Sequence, residues 1–306
     1  MFALLLTGVS ACAGRRLELP TPPDAAPAGL GVMVMAHGGS PEWNREVLGA
    51  VSPLAGRYPI EVSFGMAESS SMQAAVRRLE ARGARRIVVV RLFISGQSFL
   101  DRTEQILGLR AGATRTPPPE RHAGLSGPHE QHGPDMRTWR IQSASTFALN
   151  TSGLADADEV GTVLLDRARA LSRDPVLEDV LILAHGPGDD AENARWIESI
   201  EARARAVREG LPFRRVMVMT LREDWPDKRA DAEARARAFV QRAAAERGVA
   251  IVLPFRVQGF GPYAEVLRDL PYRSDGLGLI PHPVVTQWIE AQIRVLERTP
   301  FRAPLP

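Results

Sequence analysis

Cysteine occurs once in the 306 residues, as Cys12, so the chain can form no internal disulfide and no cysteine-built metal site. Lysine is equally scarce. Lys228 stands alone against a background of arginine. With 38 basic and 36 acidic residues the formal net charge is only +2, a balance that gives no support to nucleic-acid binding. Most of the arginines alternate with Glu and Ala, the pattern of solvated helix faces. No apolar run reaches the ~20 residues that would span a bilayer. Several catalytic signatures are also missing. There is no Gly-x-Ser-x-Gly elbow, no Gly-x-Gly-x-x-Gly after a first strand and no P-loop. Ala36 and Ala184 stand where a phosphoglycerate-mutase-like Arg-His-Gly would need arginine. A nucleotide cofactor is therefore not expected.

The lone cysteine has a telling position. Ahead of it runs FALLLTGVSA, long enough for the apolar core of a signal peptide though not for a membrane span. Val9-Ser10-Ala11-Cys12 resembles the lipobox of bacterial lipoproteins, in which the cysteine is lipidated. No basic residue precedes the apolar run, a departure from the usual signal peptide. The following stretch to residue 29 is rich in Pro and Ala and reads as a semi-rigid tether. The resemblance implies a cell-envelope lipoprotein, with Ala13 favouring the periplasmic side of the outer membrane. Cytoplasmic location is the alternative.

What is present from Gly31 onward is regular. Short buried strands such as GVMVMA, IEVSFGM and RRIVVVRLFI alternate with helical segments such as SMQAAVRRLEARG. Strands alternating with helices of this length predict βαβ units and parallel sheets. A Pro- and Gly-rich stretch at about 110–139 interrupts the pattern and reads as a mobile insertion. It carries His122, His129 and His132. A strand over RIQSASTFAL and a helix close the first half. The second half then repeats the order, with strands DVLILA, RRVMVMTL and VAIVLPFRV. The unit is four strand–helix pairs used twice, giving an α/β fold of two similar lobes, residues 30–175 and 176–299, with a short tail at 300–306. His282 falls at the start of the last helix.

The repeat explains a recurrence in the motifs. VMVMAHGG and VLILAHGP each end a strand on Ala-His-Gly, placing His37 and His185 at corresponding strand tips. Ligand groups gather beyond the carboxyl ends of strands in open parallel sheets. The second strand of the first half delivers Glu68 there, and the third delivers Gln97. A histidine beside a carboxylate with an open position suits a borderline divalent cation such as Co, Fe or Ni. Arg91 and Arg256, at the two third strands, are candidates to meet substrate carboxylates.

The frame strand-AHG, then FGMAE, then RGARRIVVVRLFISGQS resembles the class II chelatases, more narrowly the CbiX/SirB sirohydrochlorin cobalto- and ferrochelatases in tandem form. The resemblance extends to LLDRARALSRDP, PFRVQGFGPY and GLIPHPVVTQW. It implies two parallel-sheet lobes facing across a cleft, where a divalent metal enters a tetrapyrrole. It further implies His37 as ligand and proton acceptor and Glu68 as second ligand or base. Gln97 stands where the family carries a second histidine, which puts catalysis in question. In the second lobe His185 matches the first position, and Glu223 or Asp224 falls near the second. The alternative reading is an envelope-anchored protein that binds metal or tetrapyrrole without catalysis.

Overall fold

The computed structural model describes residues 28–115 and 138–306. Cys12 and the three insertion histidines His122, His129 and His132 lie outside the described residues. The first half contains β1 (Leu30–Ala36), α1 (Pro41–Val51), β2 (Ile60–Phe64), α2 (Ser69–Ala81), β3 (Arg86–Leu92), α3 (Leu100–Ile106), β4 (Thr146–Leu149) and α4 (Val160–Leu171). The second contains β5 (Glu178–Ala184), α5 (Asp190–Gly210), β6 (Arg215–Thr220), α6 (Pro226–Ala245), β7 (Val249–Phe255), α7 (Tyr263–Val266), β8 (Tyr272–Arg273) and α8 (Pro283–Glu297). Each half forms one four-stranded parallel sheet, in the orders β2-β1-β3-β4 and β6-β5-β7-β8. The α/β repeat expected from the sequence is thus present as two lobes.

The apolar runs have a simple cause. Every residue of β1 and of β5 is buried, because both strands lie inside their sheets with helices on either face. Met33 and Met35 pack with Met72 and Leu79 of α2 on one face of the first sheet. Leu181 and Leu183 pack with Phe239 and Val240 of α6 on the matching face of the second. The two remaining faces share one continuous core, in which Val32 and Val90 belong to the same cluster as Ile182 and Leu253.

The last helix of each half lies on the other lobe. Helix α4 packs against α5 and β7, and α8 packs against α1, β3 and β4. The sequence repeat divides the chain near residue 175, whereas packing hands α4 to the second sheet and α8 to the first. Trp288 of α8 is 2% exposed within the shared core. Trp288→Ala should cost about 3–5 kcal/mol and lower the melting of both lobes in one transition. A differential scanning trace in which one lobe melts alone would contradict this.

One element is shorter than the pattern predicts. The strand expected over 140–149 is restricted to Thr146–Leu149. Upstream, Gln142 N–H donates to the Gln73 side chain at 2.7 Å and the Ser143 hydroxyl to Glu80 at 2.6 Å, so that backbone is held by α2 rather than a strand ladder. Helix α7 is a single turn, Tyr263–Val266. His282 is the N-cap of α8, its Nδ1 accepting from Val284 N–H at 3.3 Å.

Candidate active site

Both Ala-His-Gly motifs end a buried strand in the same turn. Gly38 and Gly186 adopt φ of 79° and 78°, a region that L side chains rarely enter. Space is tight at Gly38 and closed to a side chain at Gly186. A Cβ on Gly38 would stand 3.1 Å from Phe64 Cβ, and one on Gly186 would stand 2.5 Å from Thr220 Cβ. The turn lifts the chain off the sheet into the next helix. Ser40 then caps α1 by accepting from Trp43 N–H, and Asp189 caps α5 by accepting from Glu192 N–H.

Each turn also fixes its histidine. His37 Nδ1 lies 2.8 Å from the Gly38 carbonyl oxygen, and His185 Nδ1 lies 2.8 Å from that of Gly186. A carbonyl can only accept, so Nδ1 carries the hydrogen and the neutral ring keeps its lone pair on Nε2. Backbone geometry alone therefore points both rings the same way electronically.

His37 and His185 line one cavity of about 330 Å³ between the lobes. Three of the chain's five tryptophans, Trp43, Trp196 and Trp225, stand in its wall with Met66 and Phe99. The ring of His37 is 6.3 Å from that of Trp43, and His185 meets Trp225 edge-on at 6.1 Å. Such a wall suits a flat, conjugated ligand. Sequence reasoning missed these tryptophans; their signal was proximity to the Ala-His-Gly and Arg-Glu-Asp-Trp turns.

Strand register settles the second carboxylate. Ala36 pairs with Phe64 and Ala184 with Thr220. Glu68 and Asp224 each lie four residues beyond those partners (68 − 64 = 224 − 220 = 4). Asp224 is thus the counterpart of Glu68, and its Oδ2 lies 3.1 Å from His185 Nε2. Of the two candidates Glu223 and Asp224, it is Asp224 that stands beside His185. Glu223 instead accepts from Arg256 Nη1 at 2.6 Å, one residue out of register.

The first-lobe residues are brought together less closely than the strand order suggests. His37 lines the cavity, whereas Glu68 and Gln97 are exposed and outside its wall. Glu68 accepts a hydrogen bond from the Ser70 hydroxyl, and the Gln97 N–H is turned to Ser95 Oγ at 3.1 Å. Among the described residues no three His, Cys, Asp or Glu side chains converge as a ready-made metal cage. The carboxylates in the cavity wall, Glu192 and Asp224, both come from the second lobe.

The two arginine candidates separate. Arg91 is 1% exposed. Its Nη1 donates to the carbonyls of Gly96 at 2.9 Å and Asn150 at 3.0 Å, and its Nη2 to that of Ser98. Burial pulls its guanidinium down to about 10, still charged at neutral pH. Both Nη atoms are engaged by backbone carbonyls while the buried Nε has no partner, so Arg91 holds the loop after β3 and, unlike Arg256, does not line the cavity. Arg256 does line the cavity. Burial would lower its pKa, but Tyr263 and Glu223 outweigh that and raise it. A fixed cation at the cleft edge can meet a carboxylate.

Residues 31–107 match the CbiX family model. The comparison with curated proteins returns no match. Among solved structures, SirB from Bacillus subtilis with Fe3+ superimposes with a TM-score of 0.60 at 12% identity, covering 88% of this chain and 96% of SirB. A sirohydrochlorin chelatase SirB from the subspecies spizizenii in complex with cobalt gives a TM-score of 0.55 at 12% identity, with 88% and 95% covered. A multi-domain Deinococcus radiodurans protein with structural similarity to chelatases gives a TM-score of 0.55 at 20% identity over 90% of this chain. This chain spans only 56% of that protein's length. Residues 31–107 are thus similar to the CbiX family, and the two lobes together have the chelatase fold.

Proposed function

We propose that the cleft between the lobes inserts a divalent metal, cobalt, iron or nickel, into a tetrapyrrole of the sirohydrochlorin type, making the protein a metal chelatase and thus a lyase. The observation that carries this is His37. Its Nε2 is left with the lone pair by the Gly38 turn, and it opens on an aromatic cavity from a segment similar to the CbiX family.

A metal in transit must be held by few ligands, so that pyrrole nitrogens can displace them. A single strand-tip imidazole with no second ligand locked beside it meets that need. The tryptophans and Phe99 would hold the macrocycle by its faces, and Arg256 would engage one of its peripheral carboxylates. Glu68, on the neighbouring loop outside the cavity wall, would meet the incoming metal before His37 does. Gln97, exposed and outside the cavity wall, would offer a metal only its amide carbonyl oxygen and could accept no proton.

The test is to incubate the protein with sirohydrochlorin and Co(II), Fe(II) or Ni(II) and weigh the product. A macrocycle heavier by one metal and lighter by two protons, formed faster than without protein, supports the reading. Binding of metal or macrocycle without that product supports the carrier alternative instead. We also propose that Cys12 carries a lipid that tethers the lobes to the envelope. Mass spectrometry of the protein from its native cells should show a diacylglyceryl adduct on Cys12; an unmodified Met1 would contradict it.

A further inference from the structure

Metal insertion needs two different services from the protein. A ligand must offer a lone pair to the metal, and a base must take up the pyrrole protons. One imidazole nitrogen cannot do both at once, because a lone pair given to a metal is not available to a proton. If His37 Nε2 serves the metal, the base must be sought elsewhere in the cavity wall. Among the described residues the first lobe offers no other, since Glu68 and Gln97 stand outside that wall.

The second lobe has the groups. His185 Nε2 and Asp224 Oδ2 are 3.1 Å apart, and both residues line the same cavity as His37. His185 already uses its Nδ1 hydrogen on the Gly186 carbonyl. A neutral ring therefore presents a bare Nε2 to a carboxylate that is also bare. The pair is one proton short of a hydrogen bond, and a proton delivered to it closes a charge-assisted contact. Among the described residues His37 is paired with no acidic side chain; its ring meets the Gly38 carbonyl and Trp43. The same strand-tip motif is thus built twice in two electronic settings. One imidazole is free and the other is paired with a carboxylate.

We propose that the His185–Asp224 pair is the proton acceptor for metal insertion, with His37 the metal's ligand, so that the two lobes divide the reaction between them. This rests on the insertion reading above. The balance is simple. Each pyrrole N–H bond breaks and leaves its electron pair on nitrogen, which then binds the metal. Each proton passes in turn to Nε2 of His185, shared with Asp224, and leaves to water through the Asp224 carboxylate, whose side chain is 72% exposed. The metal keeps its oxidation state, and no redox partner is required. Trp225, edge-on to His185 at 6.1 Å, limits the ring's swing and keeps Nε2 toward the cavity.

Steady-state insertion by wild type, Asp224→Asn and Asp224→Glu tests the division of labour, with metal and tetrapyrrole each varied. Asp224→Asn should lower kcat by about 100-fold or more while KM for the metal and for the macrocycle stays within about twofold. Asp224→Glu should recover most of the rate, because it restores an acceptor oxygen at the same ring. An unchanged kcat in Asp224→Asn, with an active wild type, would overturn the proposal and leave the insertion reading intact. So would a loss confined to KM for the metal, which would make the pair a metal dock. A wild type no faster than the uncatalysed reaction would overturn the insertion reading and this proposal with it.

Discussion

Replacing His37 with alanine should slow metal insertion by about a hundredfold or more, with little change in stability. The size follows from the role. Groups that only orient a metal's ligand contribute about 10- to 100-fold, so loss of the ligand itself is expected at or beyond the top of that range, and among the described residues no other first-lobe histidine lines the cavity to take over. The small stability effect follows from the surroundings. The ring is exposed and its hydrogen bond is to the adjacent residue's carbonyl, so its removal leaves no buried group unpaired. Surface substitutions of this kind cost within about 0.5 kcal/mol. Urea denaturation and insertion kinetics on the same preparation separate the two effects. Wild-type kinetics in a folded His37→Ala variant would remove His37 from the reaction.

Arg91→Leu should do the reverse and act through the fold. The guanidinium bridges three carbonyls, those of Gly96, Ser98 and Asn150, and the Arg91 N–H donates to Asn150 Oδ1 at 2.7 Å. Leucine fills much of the volume but leaves those buried carbonyls without donors. Losses of this kind cost about 1–3 kcal/mol for each stranded group, so three groups without new donors give a total of roughly 3–9 kcal/mol. The same loop supplies Ile94, Ser98 and Phe99 to the cavity wall. Activity should therefore fall even where the variant remains folded, and KM for the macrocycle should rise. A urea midpoint equal to wild type would show that the carbonyls find other donors.

Much of this architecture is legible in the sequence because a buried parallel strand has little freedom of composition. GVMVMA and DVLILA can hardly be anything else between two helical segments, and the doubled Ala-His-Gly marks both strand tips. What the sequence hides is register and distance. Whether Glu223 or Asp224 faces His185 depends on one residue of strand pairing, which only the Ala184–Thr220 alignment resolves. Arg91 reads as a substrate contact from its place on β3, yet the Asn150 and Gly96 carbonyls that consume it come from other segments. The exchange of α4 and α8 between lobes is equally invisible to periodicity, since an amphipathic face does not say which sheet it covers. Gln97 illustrates the opposite risk, for its position in the family pattern says nothing of a side chain that ends up exposed outside the cavity wall.

The most direct test of the account is the initial rate of cobalt insertion into sirohydrochlorin, followed by the absorbance change against the uncatalysed reaction in the same buffer. A protein-dependent rate that saturates in both metal and macrocycle, and collapses in His37→Ala, is the predicted result. A rate equal to the uncatalysed one at every protein concentration would contradict it.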